Sequence, residues 1–374
     1  MATRVWLGLR LTPPMGMAWR SVGISHVPNG SSGLFYLSFF GLCLEFGEER
    51  SVNPGISVVI PTFNGRALLE ENLPTVFSAL ESTNIRHEVI VADDGSSDDS
   101  VEFIKRKYPQ IVLLAHPKNS GFSTNINSGL KLAQFDLVLA LNNDVSLERE
   151  YFLKQLHHFH SEDTFGVMGA LLDPKTRTIT DGAKLAEQSF FGVIRSTKNI
   201  MRNDESPMLS FFLSGANALM DRKKLAAIGF FDEVFNPFYN EDVELSLRAW
   251  RMNWKCYFEP KAHAYHACSS TIKKLSNKEQ IRVISLRNRF VLHDIHLESV
   301  ERFLFFCKLW WDLGTRWIGL DFNFYKAFTS YRARKDTART SRENFLKLRP
   351  ALTIWEVVRK LKREQFKKPY RVFS

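Results

Sequence analysis

Five apolar residues, Leu137–Leu141, run directly into Asn142-Asn143-Asp144. The apolar run reads as a central strand buried on both faces. In an open α/β sheet, ligands bind just beyond the carboxyl ends of the strands. A carboxylate there can hold a hard divalent cation, and the cation can hold a diphosphate. The plainer reading is a turn, because Asn and Asp are common where strands end. A second acidic cluster, Asp93-Asp94-Gly95-Ser96, follows another short strand. A carboxylate accepts two hydrogen bonds, so one of these could take a pyrimidine imide or sugar hydroxyls. Equally, Asp94 or Ser96 could cap the helix that follows. Glu241, Asp242 and Glu244 open a further helical segment, where acids favour the helix dipole on structural grounds alone. Neither a G-x-G-x-x-G nor a GxxxxGK[ST] loop accompanies these clusters. A diphosphate bound here would need another source of neutralisation, and a metal on Asp144 is the candidate.

The elements that must position these groups alternate. Ile56–Ile60 is a β-branched strand stopped by Pro61, and Thr62-Phe63-Asn64-Gly65 is a turn. Residues 67–80 carry Leu69, Leu73, Val76, Phe77 and Leu80 at helical spacing, with Pro74 marking a kink or a late start. Strand 88–92, helix 101–108, strand 111–115 and helix 123–133 follow, and then the strand at Leu137. This alternation with short connectors predicts an α/β fold, a doubly wound and mostly parallel sheet. It places Thr62, Asp93, Asp94, Gly121 and Asp144 around one crevice.

The chain of 374 residues has a net charge of +10, and the excess is local. Residues 331–374 hold 14 Lys or Arg against 4 Asp or Glu, so the rest of the chain is balanced. Cys43, Cys256, Cys268 and Cys307 are too few and too scattered for a disulfide framework and lack zinc spacing, which fits a reducing, cytoplasmic compartment. The longest apolar candidate, Gly33–Leu44, falls short of a membrane span. Residues 1–54 are poorly patterned and read as a loosely ordered extension.

Four segments in order resemble the inverting family 2 glycosyltransferases of the GT-A fold, in particular the bacterial rhamnosyltransferase-like branch. They are Ser57-Val58-Val59-Ile60-Pro61-Thr62-Phe63-Asn64, Val89-Ile90-Val91-Ala92-Asp93-Asp94-Gly95-Ser96, Asn119-Ser120-Gly121-Phe122 and Leu141-Asn142-Asn143-Asp144-Val145. The resemblance runs from about Ile56 to Ser270. It implies that Pro61, Thr62, Asn64, Asp93, Asp94, Asn119, Gly121 and Asn143 hold the donor nucleotide. It also implies that Asp144, matching the last acid of the family's D-x-D motif, binds a divalent cation, Mg2+ or Mn2+. Asn142 departs from that motif, since an amide replaces its first acid, so substrate phosphates would supply much of the coordination. Ser214, Gly215 and Glu241 are implied to face the sugars. Asp242 matches the acid of the family's Glu-Asp motif, which implies the general base. His266, with His263 as its competitor, is implied to complete the metal site.

Beyond Ser270 the character changes. Residues 302–328 are rich in Phe and Trp, and the basic tail sets Ile354, Val357, Val358 and Leu361 at helical spacing among Arg and Lys. Aromatic and basic residues together suit a helical region, 271–374, that packs on the 55–270 domain and touches an anionic membrane surface. No nucleic-acid module accompanies the charge, so a membrane is the expected partner. The expected activity is metal-dependent inverting transfer from a dTDP- or UDP-sugar, rhamnose or similar, to a glycan or lipid-linked acceptor at the inner face of the cell membrane. The rivals are a nucleotidyltransferase, whose Gly-rich signature loop is missing, and a non-catalytic scaffold on the same fold.

Overall fold

Ile56–Thr62 (β1) pairs in parallel register with His87–Asp93 (β2), Val58 opposite Val89, and on its other side with Leu137–Leu141 (β4), Val58 opposite Leu139. Val112–Ala115 (β3) extends the sheet beyond β2. The connecting helices are Arg66–Glu81 (α1), Ser100–Lys107 (α2) and Phe122–Leu132 (α3). Alternate strand residues face opposite ways. Val59, Ile90, Val138 and Ala140 therefore pack with Ile126 and Leu130 of α3, while Val58, Ile60 and Leu139 pack with Leu69 and Leu73 of α1 and Phe103 of α2. The middles of β1, β2 and β4 are apolar runs because both faces are covered, whereas β3 at the sheet edge is partly exposed. The first helix begins at Arg66 and runs through Pro74, so Pro74 does not mark a late start.

The second half enlarges this sheet. After Val145–Leu147 (β5) come a short helix, Tyr151–Gln155 (α4), a 3-10 turn, Leu156–His160, and the wholly buried strand Thr164–Leu172 (β6). Ala183–Lys184 (β7), Asn199–Arg202 (β8) and Met208–Leu209 (β9) follow. Asn217–Asp221 (β10) then inserts antiparallel between β4 and β6. Two helices, Arg222–Ala227 (α5) and Glu241–Arg251 (α6), lead to Lys255–His266 (β11). The ten-stranded sheet runs β9-β11-β6-β10-β4-β1-β2-β3, with β5 on β11 and Ile179–Asp181 on β6. The strand expected at 255–258 continues to His266, because it is parallel to β6 along its length, with an irregularity between Glu259 and His263.

Lys278–His296 (α7), Ser299–Thr315 (α8), Phe322–Ala333 (α9), Lys335–Lys347 (α10) and Ile354–Gln365 (α11) complete the chain, and Tyr370–Phe373 (β12) returns to pair with β8. The apolar face of α11, Ile354, Val357, Val358 and Leu361, is buried in the same core as β4 and β6. That stripe is therefore covered by protein, which corrects its assignment to a membrane surface. The most exposed large apolar groups among the described residues lie instead on α8 and the turn after it. Among the described residues, no helix is long and apolar enough to cross a membrane.

This computed structural model describes residues 36–39, 42–45, 55–189, 191, 193–195, 198–266 and 277–373. The chain divides into two compact units, Met1–Ser51 and Val52–Ser374. Within the first, Tyr36–Phe39 and Leu42–Glu45 form an antiparallel pair. The rest of the expected N-terminal extension lies outside the described residues, as do residues 267–276.

Candidate active site

The carboxyl ends of β1, β2 and β4 converge, and their polar residues divide into those that build loops and those left open to a ligand. Asn143 builds. Its Nδ2 donates to Thr62 Oγ1 at 2.8 Å, and its carbonyl accepts from Asn72 Nδ2 at 3.0 Å. This closes β4 onto β1 so tightly that a Cβ on Gly65 would sit 2.3 Å from Asn143 Nδ2. Asn64, at φ 50°, accepts from the Ser97 amide at 2.8 Å and joins the β1–α1 and β2–α2 loops. Pro61 precedes them, half-buried in β1 opposite Ala92.

The two acids after β2 differ sharply. Asp94 accepts from Ser120 N and Oγ, each at 2.8 Å, and from Gly121 N at 3.0 Å. Both its oxygens are committed to the β3–α3 loop. Asp93 takes the Ser96 amide on Oδ1 at 2.9 Å, while its buried Oδ2 has no hydrogen-bond partner. Neither Asp94 nor Ser96 caps α2. Asp99 occupies that position without a side-chain bond, and Asp98 Oδ1 accepts from Ser100 N at 3.1 Å. The capping expectation fails because Asp94 is turned to the β3–α3 loop and Ser96 Oγ accepts from Asn64 N in the β1–α1 loop. Gly121 adopts φ 92°, and a Cβ there would meet Asn236 Oδ1 at 2.8 Å; Asn119 is exposed on the same loop.

Asp144 is buried. Because β5 pairs antiparallel with the end of β11, His266 falls opposite Val145, and its Nε2 lies 3.2 Å from Asp144 Oδ1. His263 faces Glu148 instead, at 3.2 Å. A carboxylate oxygen and an imidazole nitrogen converging on one point suit a divalent ion, Mn2+ as well as Mg2+, so the residues present fit the expected metal.

Asp242 stands in the first turn of α6. Its Oδ2 accepts from the Gly215 amide at 3.3 Å and its Oδ1 from the Val243 amide at 2.8 Å. Ser246, one turn further, accepts from Leu213 N at 3.0 Å, so the Leu213–Gly215 loop, including Ser214, is docked on this helix. Burial pushes the Asp242 carboxyl above the ordinary Asp range, and the Lys184 charge works against that rise. The neighbouring Glu241 is buried with Oε2 unpartnered, and burial, then the Asp242 charge, raise its pKa to about 8. Glu244 is structural. It binds Arg248 at 2.8 Å and His296 at 3.1 Å, and its pKa falls because those partners outweigh burial.

Two groups were invisible in the sequence. Lys184 is buried beside Asn199 Oδ1 at 2.8 Å and Asp181, and burial lowers its pKa to about 8. Lys184 belongs to no motif. Asn288 on α7 donates to the carbonyls of Phe235, Phe238 and Tyr239 at 2.7, 2.9 and 2.7 Å. It holds the approach to α6, where Tyr239 and Asn240 both have positive φ, 76° and 70°. Such conformations cost free energy in non-glycine residues and persist only where surrounding contacts impose them. Asn236, in the same approach, accepts from Ser123 N at 2.9 Å, which joins it to the Gly121 loop.

Residues 57–229 match the family model described as Glycosyl transferase family 2. That stretch of the chain is similar to family 2 glycosyltransferase domains. The match ends before Asp242 and His266, whose placement rests on the geometry above. The domain is 24% identical over 251 residues to the chondroitin synthase of Escherichia coli, covering 59% of this chain and 36% of that one. It is 27% identical over 226 residues to the hyaluronan synthase of Pasteurella multocida, covering 53% and 23%. The chain thus spans about a quarter to a third of the length of these relatives. A crystal structure of GalNAc-T7 with UDP, GalNAc and Mn2+ superposes with a TM-score of 0.53 at 14% identity, covering 67% of this chain and 49% of that one. The fold is GT-A, a mixed α/β sheet followed here by helices.

Proposed function

We propose that this protein is a divalent-metal-dependent inverting glycosyltransferase. It would move a sugar, rhamnose or similar, from a dTDP- or UDP-sugar to a glycan or lipid-linked glycan in the synthesis of cell-surface polysaccharide. The observation that carries the proposal is the Asp144–His266 pair, 3.2 Å apart, at the sheet edge that also bears the unpartnered Asp93 Oδ2. Asp93 Oδ2 accepts the imide N–H of the pyrimidine, replacing a hydrogen bond that the protein itself does not supply. Asp144 and His266 would hold the ion beside the substrate phosphates. When bound, the ion supplies positive charge to the leaving diphosphate. The amides of Gly215 and Val243 orient the Asp242 carboxylate, which takes the proton of the acceptor hydroxyl as that oxygen attacks the anomeric carbon. The bond to the diphosphate breaks on the opposite face, which inverts the centre. Glu241, protonated at neutral pH, leaves Asp242 as the one negative charge of this pair.

The domain would act at the inner face of the cell membrane. Supporting this, Phe303, Trp310 and Trp311 of α8 and Trp317 and Ile318 after it are 67–82% exposed, and Trp suits the polar–apolar boundary of a bilayer. A donor screen on the purified protein tests the activity. One nucleotide-sugar should be turned over, and Asp242→Asn should lower kcat by about 10²–10⁴-fold. Turnover of none, or full activity in Asp242→Asn, sinks the proposal. Vesicle sedimentation tests the surface, since Trp310→Ala with Trp311→Ala should release the protein.

A further inference from the structure

The turn after α4 brings together groups that sugar transfer leaves unused. His157 and His158 stand side by side in Leu156–His160 with ring centroids 4.0 Å apart, and both turn toward Glu259 of β11. His158 Nε2 lies 3.0 Å from Glu259 Oε2, and His157 Nε2 lies 3.9 Å from the same atom. The three candidate ligand atoms fall within 4.8 Å of one another. His158 and Glu259 are buried, whereas His157 is exposed, so the triangle is walled by protein and open to water on one side.

Each member is oriented by a second contact. Glu259 Oε1 accepts from the Lys261 amide at 3.1 Å, which leaves Oε2 for the imidazoles. The His158 ring packs on Tyr257 at 4.8 Å, and the His157 ring hydrogen-bonds to the Lys154 backbone. Such outer contacts fix the rings of metal-binding histidines. The cluster is separate from the donor edge. Glu259 pairs with Gly169 and Tyr265 with Leu172, which is about 10 Å along β6, with His266 one residue further on.

An ion pair explains only part of this arrangement. One imidazolium satisfies Glu259 Oε2, and a second ring so close would oppose that charge if it too were protonated. Two neutral imidazoles and a carboxylate are instead a ligand set for zinc, which leaves a fourth position to water. Tetrahedral zinc with bonds of about 2.0–2.1 Å places its ligands about 3.3 Å apart, and the two His-to-Glu distances bracket that value. We propose that His157, His158 and Glu259 bind a zinc ion that pins the Leu156–His160 turn to the irregular segment of β11.

The test uses the full chain stripped with EDTA, in an Asp144→Ala background that removes the proposed donor-edge ion. Zinc content and affinity are read by competition with a chromophoric chelator, and geometry is read from the visible spectrum of bound Co2+. The expected result is one zinc per chain and a four-coordinate Co2+ spectrum in Asp144→Ala. Adding His157→Ala should abolish that spectrum and weaken zinc binding by more than about 100-fold, beyond the cost of losing an outer contact. Because His157 is exposed, the metal-free melting temperature should not move. Zinc lost with Asp144 alone, zinc indifferent to His157, or no zinc held by either protein would overturn the proposal.

Discussion

Replacing Glu241 by Gln tests whether this carboxyl is a neutral acid in the folded chain. The group is buried, its Oε2 has no partner, and its pKa is pushed from an ordinary 4.5 up to about 8. Between those values the folded chain holds a proton that the unfolded chain has released, so stability falls as pH rises through this window. Each pH unit is about 1.4 kcal/mol. Relative to its acid limit, the wild type should therefore have lost about 1 kcal/mol by pH 5 and about 3 kcal/mol by pH 7. Gln copies the shape of the neutral acid and has no such proton to lose. Urea denaturation of both proteins in EDTA, followed by Trp fluorescence from pH 5 to pH 8, measures the difference. The stability of Glu241→Gln minus that of wild type should widen by roughly 2–3 kcal/mol between pH 5 and pH 7. A gap constant across that range would mean that Glu241 ionises in the fold as it does in water, and the account of the Asp242 pair would fall with it.

Calorimetric titration of UDP and dTDP with Mn2+, Mg2+ or EDTA should show metal-dependent binding that disappears in Asp144→Ala; equal binding in EDTA would remove the ion from the mechanism. Lys184→Gln removes a charge that holds the Asp242 carboxyl down, so the acidic limb of the pH–rate profile should move to higher pH, and an unmoved limb would place Lys184 outside the site. Asn288→Ala leaves the Phe238 and Tyr239 carbonyls without their donor and the Phe235 carbonyl with Arg287 alone, and should cost about 2–3 kcal/mol of stability, with kcat falling more than nucleotide affinity. Unchanged kcat in a folded variant would detach α7 from the site at α6.

The first half of the sheet was legible because each of its strands is an isolated apolar run between polar turns. Val58, Ile90 and Leu139 announce burial on both faces without any knowledge of neighbours. The insertion of Asn217–Asp221 between β4 and β6 was not legible, since pairing order depends on contacts far apart in the chain. The approach of His266 to Asp144 follows from the β5–β11 register, which no local pattern encodes. Spacing placed Asp93 and Asp94 together but could not divide their work. That division depends on where the Ser120 and Gly121 amides arrive. Lys184 and Asn288 were hidden for the same reason, since a single polar residue acquires a role only from the surfaces folded around it.

Asn288 sits 49 to 53 residues beyond the carbonyls it holds, and this sets an order of assembly during synthesis. Asp242 leaves the ribosome well before the side chain that braces the loop in front of it. Until α7 has emerged and docked, Tyr239 and Asn240 lack the contacts that impose their positive φ values. A nascent chain that ends after β11 thus carries the acids of the site without the frame that aims them. The helical region acts as a latch on the approach to α6, closed by a part of the chain made after it.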